Sequence, residues 1–373
     1  MKIFIPYLSF LILLNCFLGQ SQITNFKEKF TLPSVVKETS GLLFLDGKII
    51  THNDSGDGAN LYEIDSLTGN LLRPISITNA TNIDWEDLAE NETYIYIGDF
   101  GNNNGNRTNL KIYRILKSDF KSKTNITADI ISFSYEDQTS FSSSNNHNFD
   151  AEAFVIYENS ILIFTKNRGN FKTNVYKIPS TIGTHKAVKI STANIDGLIT
   201  GATIQNNNFL LCGYANSIPF LVFISSDRAA GDDVFNAGFE KYSLINELGF
   251  GSQVEGITSF DNGKFYISRE AVNSLSLTQK LFEFKDDRTK VLEIEKNDLE
   301  NFKITPNPTY GRIAIQSKKT IQLISVHNTL GQKVITFIPH QKEINISHLS
   351  KGIYLIRILF DDQESAVKKI IKY

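Results

Sequence analysis

The sequence predicts an all-β chain: a β-propeller of five blades, with six as the alternative count, followed by a small Ig-like β-sandwich. Three observations carry that prediction. Aromatic residues, mostly Phe and Tyr, make up 11% of the 373 residues and stand beside a single Met and many Asn, Ser, Thr and Ile, which suits strands and turns better than helices. A short motif, a polar or acidic pair followed by a small residue and an apolar run, recurs five times between residues 38 and 258. The charge changes sign near Asn301, because residues 22–300 hold 36 acidic against 26 basic side chains and residues 301–373 hold 4 against 11. With 41% apolar content the chain is also too long for one small core, so at least two folded units are expected.

The first 21 residues read as an export signal. Met1-Lys2 is a short positive end, Ile3 to Leu18 is a nearly unbroken apolar run, and Gly19-Gln20-Ser21 offers a small-x-small cleavage site. The mature chain is expected to begin at Gln22. At 16 residues the apolar run is short for a bilayer span, and no later segment approaches a span's length, so a membrane anchor is the weaker alternative. Lipid attachment through Cys16 is a further one, although Asn15 stands where a small residue is wanted. With the signal removed, Cys212 is the only cysteine, so no intramolecular disulfide can form. It lies in the apolar segment Phe209 to Tyr214 and reads as a packed, inert thiol.

The body, residues 22–300, is organised by the five motifs. They are Glu38-Thr39-Ser40-Gly41-Leu42, Asp84-Trp85-Glu86-Asp87-Leu88, Asp150-Ala151-Glu152-Ala153-Phe154, Leu198-Ile199-Thr200-Gly201-Ala202 and Gln253-Val254-Glu255-Gly256-Ile257, with starts 46, 66, 48 and 55 residues apart. Each is followed by a second strand (Lys48 to His52, Tyr94 to Gly98, Ile161 to Thr165, Phe209 to Gly213, Lys264 to Ser268) and then a third (from Leu61, Leu110, Asn174, Pro219 and Lys280). Four repeats add a fourth strand, such as Leu71 to Ile77 or Ile130 to Tyr135. Four-stranded units at this spacing are propeller blades. The fifth repeat lacks its outer strand, and Ile23 to Leu32 is expected to supply it and close the ring. A two-sheet sandwich is the alternative fold, but it leaves the recurring acidic start unexplained.

In a propeller the inner strand of each blade begins, and the second strand ends, at the same end of the central channel. The repeat therefore gathers chemistry there. Glu38, Asp84, Glu86, Asp150, Glu152 and Glu255 come from strand starts; His52, Asp54, Asp99, Lys166, Arg168, Arg269 and Glu270 come from second-strand ends. Carboxylates brought together near one axis repel by about 1–4 kcal/mol per pair at 4 Å unless a cation or bases neutralise them. Oxygen ligands of this kind suit Ca²⁺, and Asp84, Glu86, Asp150, Glu152 and Glu255 are its expected ligands. The alternative is that these acids cap strands and pair with Lys166, Arg168 and Arg269. The remaining residues, Glu38, His52, Asp54, Asp99, Lys166, Arg168, Arg269 and Glu270, are expected to meet a ligand.

Two Asn- and Gly-rich loops, 52–58 and 98–107, imitate calcium loops, but the first lacks the distal bidentate Glu, and turn formation explains the composition of both more simply. Trp85 faces opposite to Asp84 and Glu86 in a strand, so packing between blades is its expected role. His52 beside Asp54 is a general-base candidate, yet no nucleophile elbow, His-Glu-x-x-His or phosphate-binding Gly loop accompanies it. The acidic body argues against a nucleic-acid partner.

The tail carries Pro306-Asn307-Pro308, Gly311, the strand Ile321 to Val326, Asn328-Thr329-Leu330-Gly331-Gln332-Lys333-Val334, Ile346 to Ile356 with Lys351-Gly352, and the basic end Lys368-Lys369-Ile370-Ile371-Lys372. Two prolines start an edge, Leu330-Gly331-Gln332 and Lys351-Gly352 are expected as hairpin turns, and alternating apolar residues supply the strands. From residue 302 to residue 373 this segment resembles the C-terminal sorting domain of the type IX (Por) secretion system of the Bacteroidota. The resemblance implies export across the outer membrane by that machinery, often followed by removal of the tail and by surface attachment or release. The expected organisation is thus a signal peptide at 1–21, a propeller at 22–300 and a sorting domain at 301–373, in a monomer without a transmembrane segment once the signal is cleaved.

The ordered motifs from Glu38 to Phe154 also resemble secreted bacterial propellers of undefined function and, more loosely, phytase-like propellers. The second resemblance implies calcium and a phosphorylated substrate, with Lys166, Arg168 and Arg269 on phosphate. Two functions stay open: a surface propeller that binds a small molecule, glycan or protein, and a Ca²⁺-dependent hydrolase of a phosphate ester or sugar-derived substrate.

Overall fold

The computed structural model describes residues 23–225, 233–236, 238–289, 302–329, 332–337, 343–361 and 365–373. The expected signal peptide and the expected boundary at Asn301 lie outside them. The chain forms two compact units, Met1–Lys290 and Val291–Tyr373.

The first unit is a ring of five blades. It opens with β1 (Ile23–Thr31), which belongs to the last blade. Blade 1 is β2 (Thr39–Leu45), β3 (Lys48–Asn53), β4 (Asn60–Asp65) and β5 (Leu71–Ile77). Blade 2 is β6 (Trp85–Glu90), β7 (Tyr94–Asp99), β8 (Lys111–Leu116) and β10 (Asp129–Tyr135), with the short β9 (Asn125–Ile126) added in parallel to β5. Blade 3 is β11 (Ala151–Tyr157), β12 (Ser160–Thr165), β13 (Thr173–Pro179) and β14 (Gly183–Ala193), and blade 4 is β15 (Leu198–Gln205), β16 (Asn208–Ala215), β17 (Ile218–Ile224) and β18 (Glu240–Ser243). Blade 5 is β19 (Val254–Asp261), β20 (Lys264–Arg269) and β21 (Lys280–Asp286), completed by β1, which pairs antiparallel with β21. The inner strands β2, β6, β11, β15 and β19 pack in that order, and β19 packs back on β2. Five blades therefore close the ring with no gap for a sixth.

Alternation along the strands places apolar side chains on both faces of each blade, and they meet in one cluster per blade boundary. Trp85, Ile95 and Ile97 pack on Leu43, Ile50 and Leu61; Phe100 and Phe133 pack on Phe154 and Tyr176. Val155 and Phe164 meet Phe209 and Val222, Cys212 and Leu221 meet Phe265 and Phe284, and Leu281 and Tyr266 meet Leu42 and Ile64. Trp85 is thus an inter-blade residue, and Cys212 is a buried thiol whose pKa burial pushes up.

Every inner strand bulges at the motif. Its pairing with the second strand shifts register between Thr39 and Leu42, Trp85 and Asp87, Ala151 and Ala153, Ile199 and Gly201, and Val254 and Ile257. A bulge leaves one residue out of the ladder and re-aims its side chain. The residues so placed are Ser40, Glu86, Glu152, Thr200 and Glu255. The small residue that follows is a steric need, because a Cβ on Gly41 would lie 2.4 Å from the Leu88 nitrogen and one on Gly256 would lie 2.3 Å from the Ser40 carbonyl. In blade 2 that position is Asp87, whose side chain enters the axis instead. Its carboxylate accepts the N–H of Leu88 at 2.8 Å, of Phe154 at 3.1 Å and of Ala202 at 3.4 Å.

The second unit pairs two sheets. One holds β22 (Phe302–Thr305), β23 (Arg312–Ser317) and β26 (Glu343–Asn345); the other holds β25 (Lys333–Phe337), β24 (Ile321–His327), β27 (Gly352–Phe360) and β28 (Ser365–Lys372). Ile304, Ile313, Val326, Ile346, Ile356 and Phe360 fill the space between them. Lys351-Gly352 is not a hairpin turn as expected: β26 and β27 lie in different sheets, and the segment between them crosses over with Ile346 buried as it leaves. Leu330 and Gly331, in the other expected turn, lie outside the described residues. Among the described residues no helix is long and apolar enough to cross a membrane.

Candidate functional site: the acidic mouth of the propeller

The mouth is the end where the inner strands begin. Among the described residues, three side chains converge there without an ion pair. Asp54 follows β3, Asp84 precedes β6 and Glu86 is the bulge residue of β6; one carboxylate oxygen from each lies within 4.8 Å of the other two. Glu86 is buried, and among the described residues no hydrogen bond or ion pair reaches its carboxylate. Gly101 makes room for the pair, since a Cβ there would sit 2.0 Å from Glu86 Oε1 and 2.5 Å from Asp84 Oδ2. Asn103 donates weakly to Asp84 at 3.4 Å. Burial, with Asp54 and Asp150 close by, pushes Asp84 up to about 7. Burial, with Glu152, Asp54, Asp84 and Asp150 around it, raises Glu86 well above the usual carboxylate range.

The neighbouring acids are already neutralised. Asp150 accepts the Asn102 N–H at 2.7 Å and Arg168 Nε at 2.7 Å. Glu152 takes Lys166 Nζ and, at 3.5 Å, Arg168 Nη2. Burial opposes the charge on Lys166, but Glu152, Tyr214 and Glu255 outweigh it and hold the ammonium. Burial and the Asp150 charge, against Lys166 and Arg168, leave Glu152 at about 8. Lys166 also lies 5.2 Å from the Tyr214 ring centroid. On the far side Glu255 is buried and raised by burial and by Glu270, while Glu270 accepts from Gln253 Nε2 and is pushed up to about 7.

Of the five expected calcium ligands the structure brings Asp84 and Glu86 together, commits Asp150 and Glu152 to Arg168 and Lys166, and leaves Glu255 beside Glu270. Asp54, expected on a ligand, joins the first pair. Glu38 is exposed at the rim, where its N–H donates to Asn53 Oδ1 at 3.2 Å and its carbonyl takes the Asp54 N–H at 3.0 Å. Three expected residues face elsewhere. His52 is fully buried edge-on to Trp85, 5.7 Å between centroids, with Nδ1 2.8 Å from the Asn53 carbonyl; burial lowers its pKa to about 4. Asp99 pairs with Arg107 at 2.8 Å. Arg269 donates to the Thr278 carbonyl at 3.0 Å and to Ser252 Oγ at 3.3 Å. Strand alternation explains these: His52 and Arg269 point into the blade boundaries while Asn53 and Glu270 do not. Sequence reasoning missed Arg107, Asn102 and Asn103, which tie loop 100–110 to the acids, and Asp87 in the axis. Only the Asn-rich run around 102 signalled the first group.

The tail has a clear relative. Residues 303–373 match the family described as the secretion system C-terminal sorting domain. This tail is a type IX sorting domain. The protein is accordingly exported to the cell surface or the exterior, and its partner in that step is the type IX machinery. No curated protein matches the chain. Among solved structures it is similar to the PQQ-bound aldose sugar dehydrogenase of Streptomyces coelicolor, with 10% identity, 70% of this chain and 97% of that one covered, and a TM-score of 0.41. It is similar also to the exo-β-1,3-galactanase of Clostridium thermocellum, with 10% identity, 94% and 87% covered and a TM-score of 0.45. PorZ, a surface component of the type IX system of Porphyromonas gingivalis, has 11% identity, 90% and 45% covered and a TM-score of 0.36. Likeness at this level carries no function across.

Proposed function

We propose that the exported propeller is a surface binding module whose mouth holds one divalent cation, Ca²⁺ by the chemistry of its ligands, between Asp54, Asp84 and Glu86. The observation that carries this reading is the contrast within the mouth. Asp150 and Glu152 each have a cation of the protein's own, whereas Asp54, Asp84 and Glu86 face one another with no ion pair among the described residues. Three carboxylates with hard oxygen donors form an incomplete Ca²⁺ shell, and the positions left open would accept oxygens from a small molecule, glycan or protein on the outside. Calorimetric titration with Ca²⁺ after EDTA treatment tests it. Heat of binding and a higher melting temperature are expected, both lost in Glu86→Gln; absence of both in the wild type sinks the cation site.

A second reading keeps the same cation in a hydrolase of a phosphate ester or sugar-derived substrate. The observation favouring it is Glu152, a carboxyl whose pKa burial raises while Lys166 and Arg168 lie against it, which sets a proton-exchanging group beside two cations that would take a phosphate. Glu152→Gln separates the two: turnover lost with folding and ligand affinity intact supports the hydrolase, and no turnover by the wild type on either substrate class removes it.

A further inference from the structure

We propose that the cleft between blades 3 and 4, at the same end of the ring, binds one sugar ring, the terminal residue of a neutral saccharide. The cleft has a volume of about 330 Å³; Phe171, Leu198 and Tyr214 line it, and Asp196, Asn216 and Ser217 stand at its edge.

Phe171 is the reason to look for a ligand here. Its φ is 55°, a left-handed conformation that a bulky side chain rarely adopts. The backbone is clamped in that state, with its N–H donating to the Asn167 carbonyl at 2.9 Å and its carbonyl taking the Gly197 N–H at 3.2 Å. The ring it presents is 54% exposed. Strained backbone and a solvated aromatic ring both cost stability, and neither serves the core. Such outliers persist where the presented group has work to do on a partner.

The surrounding chemistry selects the partner. A pyranose has an apolar face of C–H groups and an edge of hydroxyls, so it needs an aromatic face with acceptors and donors beside it. Phe171 offers the face. Among the described residues the Asp196, Asn216 and Ser217 side chains make no hydrogen bond or ion pair to protein groups, and they offer carboxylate, amide and hydroxyl to the edge. Lys166 stands over the Tyr214 ring and leaves Phe171 as the open platform. Asp196 at the edge disfavours anionic sugars.

Saturation-transfer NMR on the whole protein, with galactose, glucose, mannose and N-acetylglucosamine as probes, tests this in EDTA and again in Ca²⁺. At least one sugar should receive saturation at its ring C–H protons, in EDTA as well as in Ca²⁺, because the cleft does not depend on the proposed cation; the two proposals therefore stand or fall separately. Phe171→Ala should weaken that sugar by about two- to tenfold, the value of one stacked face. Phe171→Gly should lose the same affinity while raising the melting temperature by about 2–4 °C as the strain is released. Absence of transfer from all four sugars, an unchanged affinity in Phe171→Ala, or binding of a lysine-rich peptide alone would each overturn the proposal.

Discussion

The Asp87 carboxylate of blade 2 accepts the Ala202 N–H of blade 4 at 3.4 Å, reaching past blade 3, whose Phe154 N–H it takes at 3.1 Å. Adjacent blades are held by apolar clusters, but this contact joins blades that are not neighbours. It works because the inner strands of blades 1, 4 and 5 carry Gly at the equivalent position and leave the axis free for one side chain. Burial raises the Asp87 pKa well above the usual range, although three N–H groups oppose the shift.

Asp87→Ala is expected to destabilise the propeller by about 3–5 kcal/mol, since it strips the acceptor from buried N–H groups that each cost about 1–3 kcal/mol when unsatisfied. Asp87→Asn, which keeps the shape and a carbonyl acceptor, should recover more than half. Urea unfolding measures both, and a loss below 1 kcal/mol in the alanine variant would mean the contact is incidental.

Asp87 also shows where reading the sequence stops. The ring itself was legible: motif spacing located every inner strand, and a missing outer strand in blade 5 pointed to β1 as its partner. Which acids would be neutralised was not. Glu152 and Glu86 occupy the same bulge position, yet one meets Lys166, which directly follows its own second strand, while among the described residues no base meets the other, because the matching position in blade 2 is Phe100. Asp99 in turn is taken by Arg107, a side chain from a loop whose path no periodicity describes. The tail's family was legible in its motifs, but pairing across two sheets is non-local, so the crossover at Lys351-Gly352 looked like a hairpin.

His52 should make the fold acid-sensitive. Its folded pKa is lowered to about 4 from 6.5, so the folded state keeps it neutral while the unfolded chain takes up a proton. The stability concerned is intact above pH 6.5 and is lost as pH falls from 6.5 towards 4, reaching about 3 kcal/mol by linkage. His52→Gln is expected to flatten that part of the pH profile of the melting temperature. A wild-type slope retained in the variant would assign the sensitivity to another group.

The acids of the mouth have the opposite sign. Asp84, raised to about 7, and Glu86, raised well above the usual carboxylate range, are protonated in the fold at pH values where the unfolded chain is ionised. Their contribution is present at low pH and lost as pH rises through those values. In EDTA the melting temperature should therefore fall as pH rises from about 4 to about 7, the interval between the unfolded and folded values of Asp84, and go on falling while Glu86 titrates; Glu86→Gln should relieve the fall by about 1–2 kcal/mol, the size of one screened like-charge contact. Saturating Ca²⁺ should remove the slope in the wild type and not in Glu86→Gln. Identical profiles for the two proteins in EDTA would show that Glu86 does not titrate against its neighbours.

The tail offers a test in which stability and delivery should separate. Asn307, between the two prolines, accepts the Ile371 N–H through Oδ1 at 2.9 Å and donates through Nδ2 to the Lys369 carbonyl at 2.9 Å. Thr309 continues the line, its N–H reaching the Ile371 carbonyl at 2.8 Å and its carbonyl taking the Tyr373 N–H at 2.9 Å. This segment therefore caps the edge of the last strand, which would otherwise expose unpaired backbone groups. Asn307→Ala should cost the sorting domain about 1–2 kcal/mol, two hydrogen bonds at ordinary net value, and speed its proteolysis while the propeller melts unchanged. Asn307→Asp should cost more, because a carboxylate would face the Lys369 carbonyl where an amide now donates. If the edge is what the export machine reads, secreted yield should fall in the same order, alanine above aspartate. Equal yields with the expected loss of tail stability would instead show that the machine reads the tail elsewhere.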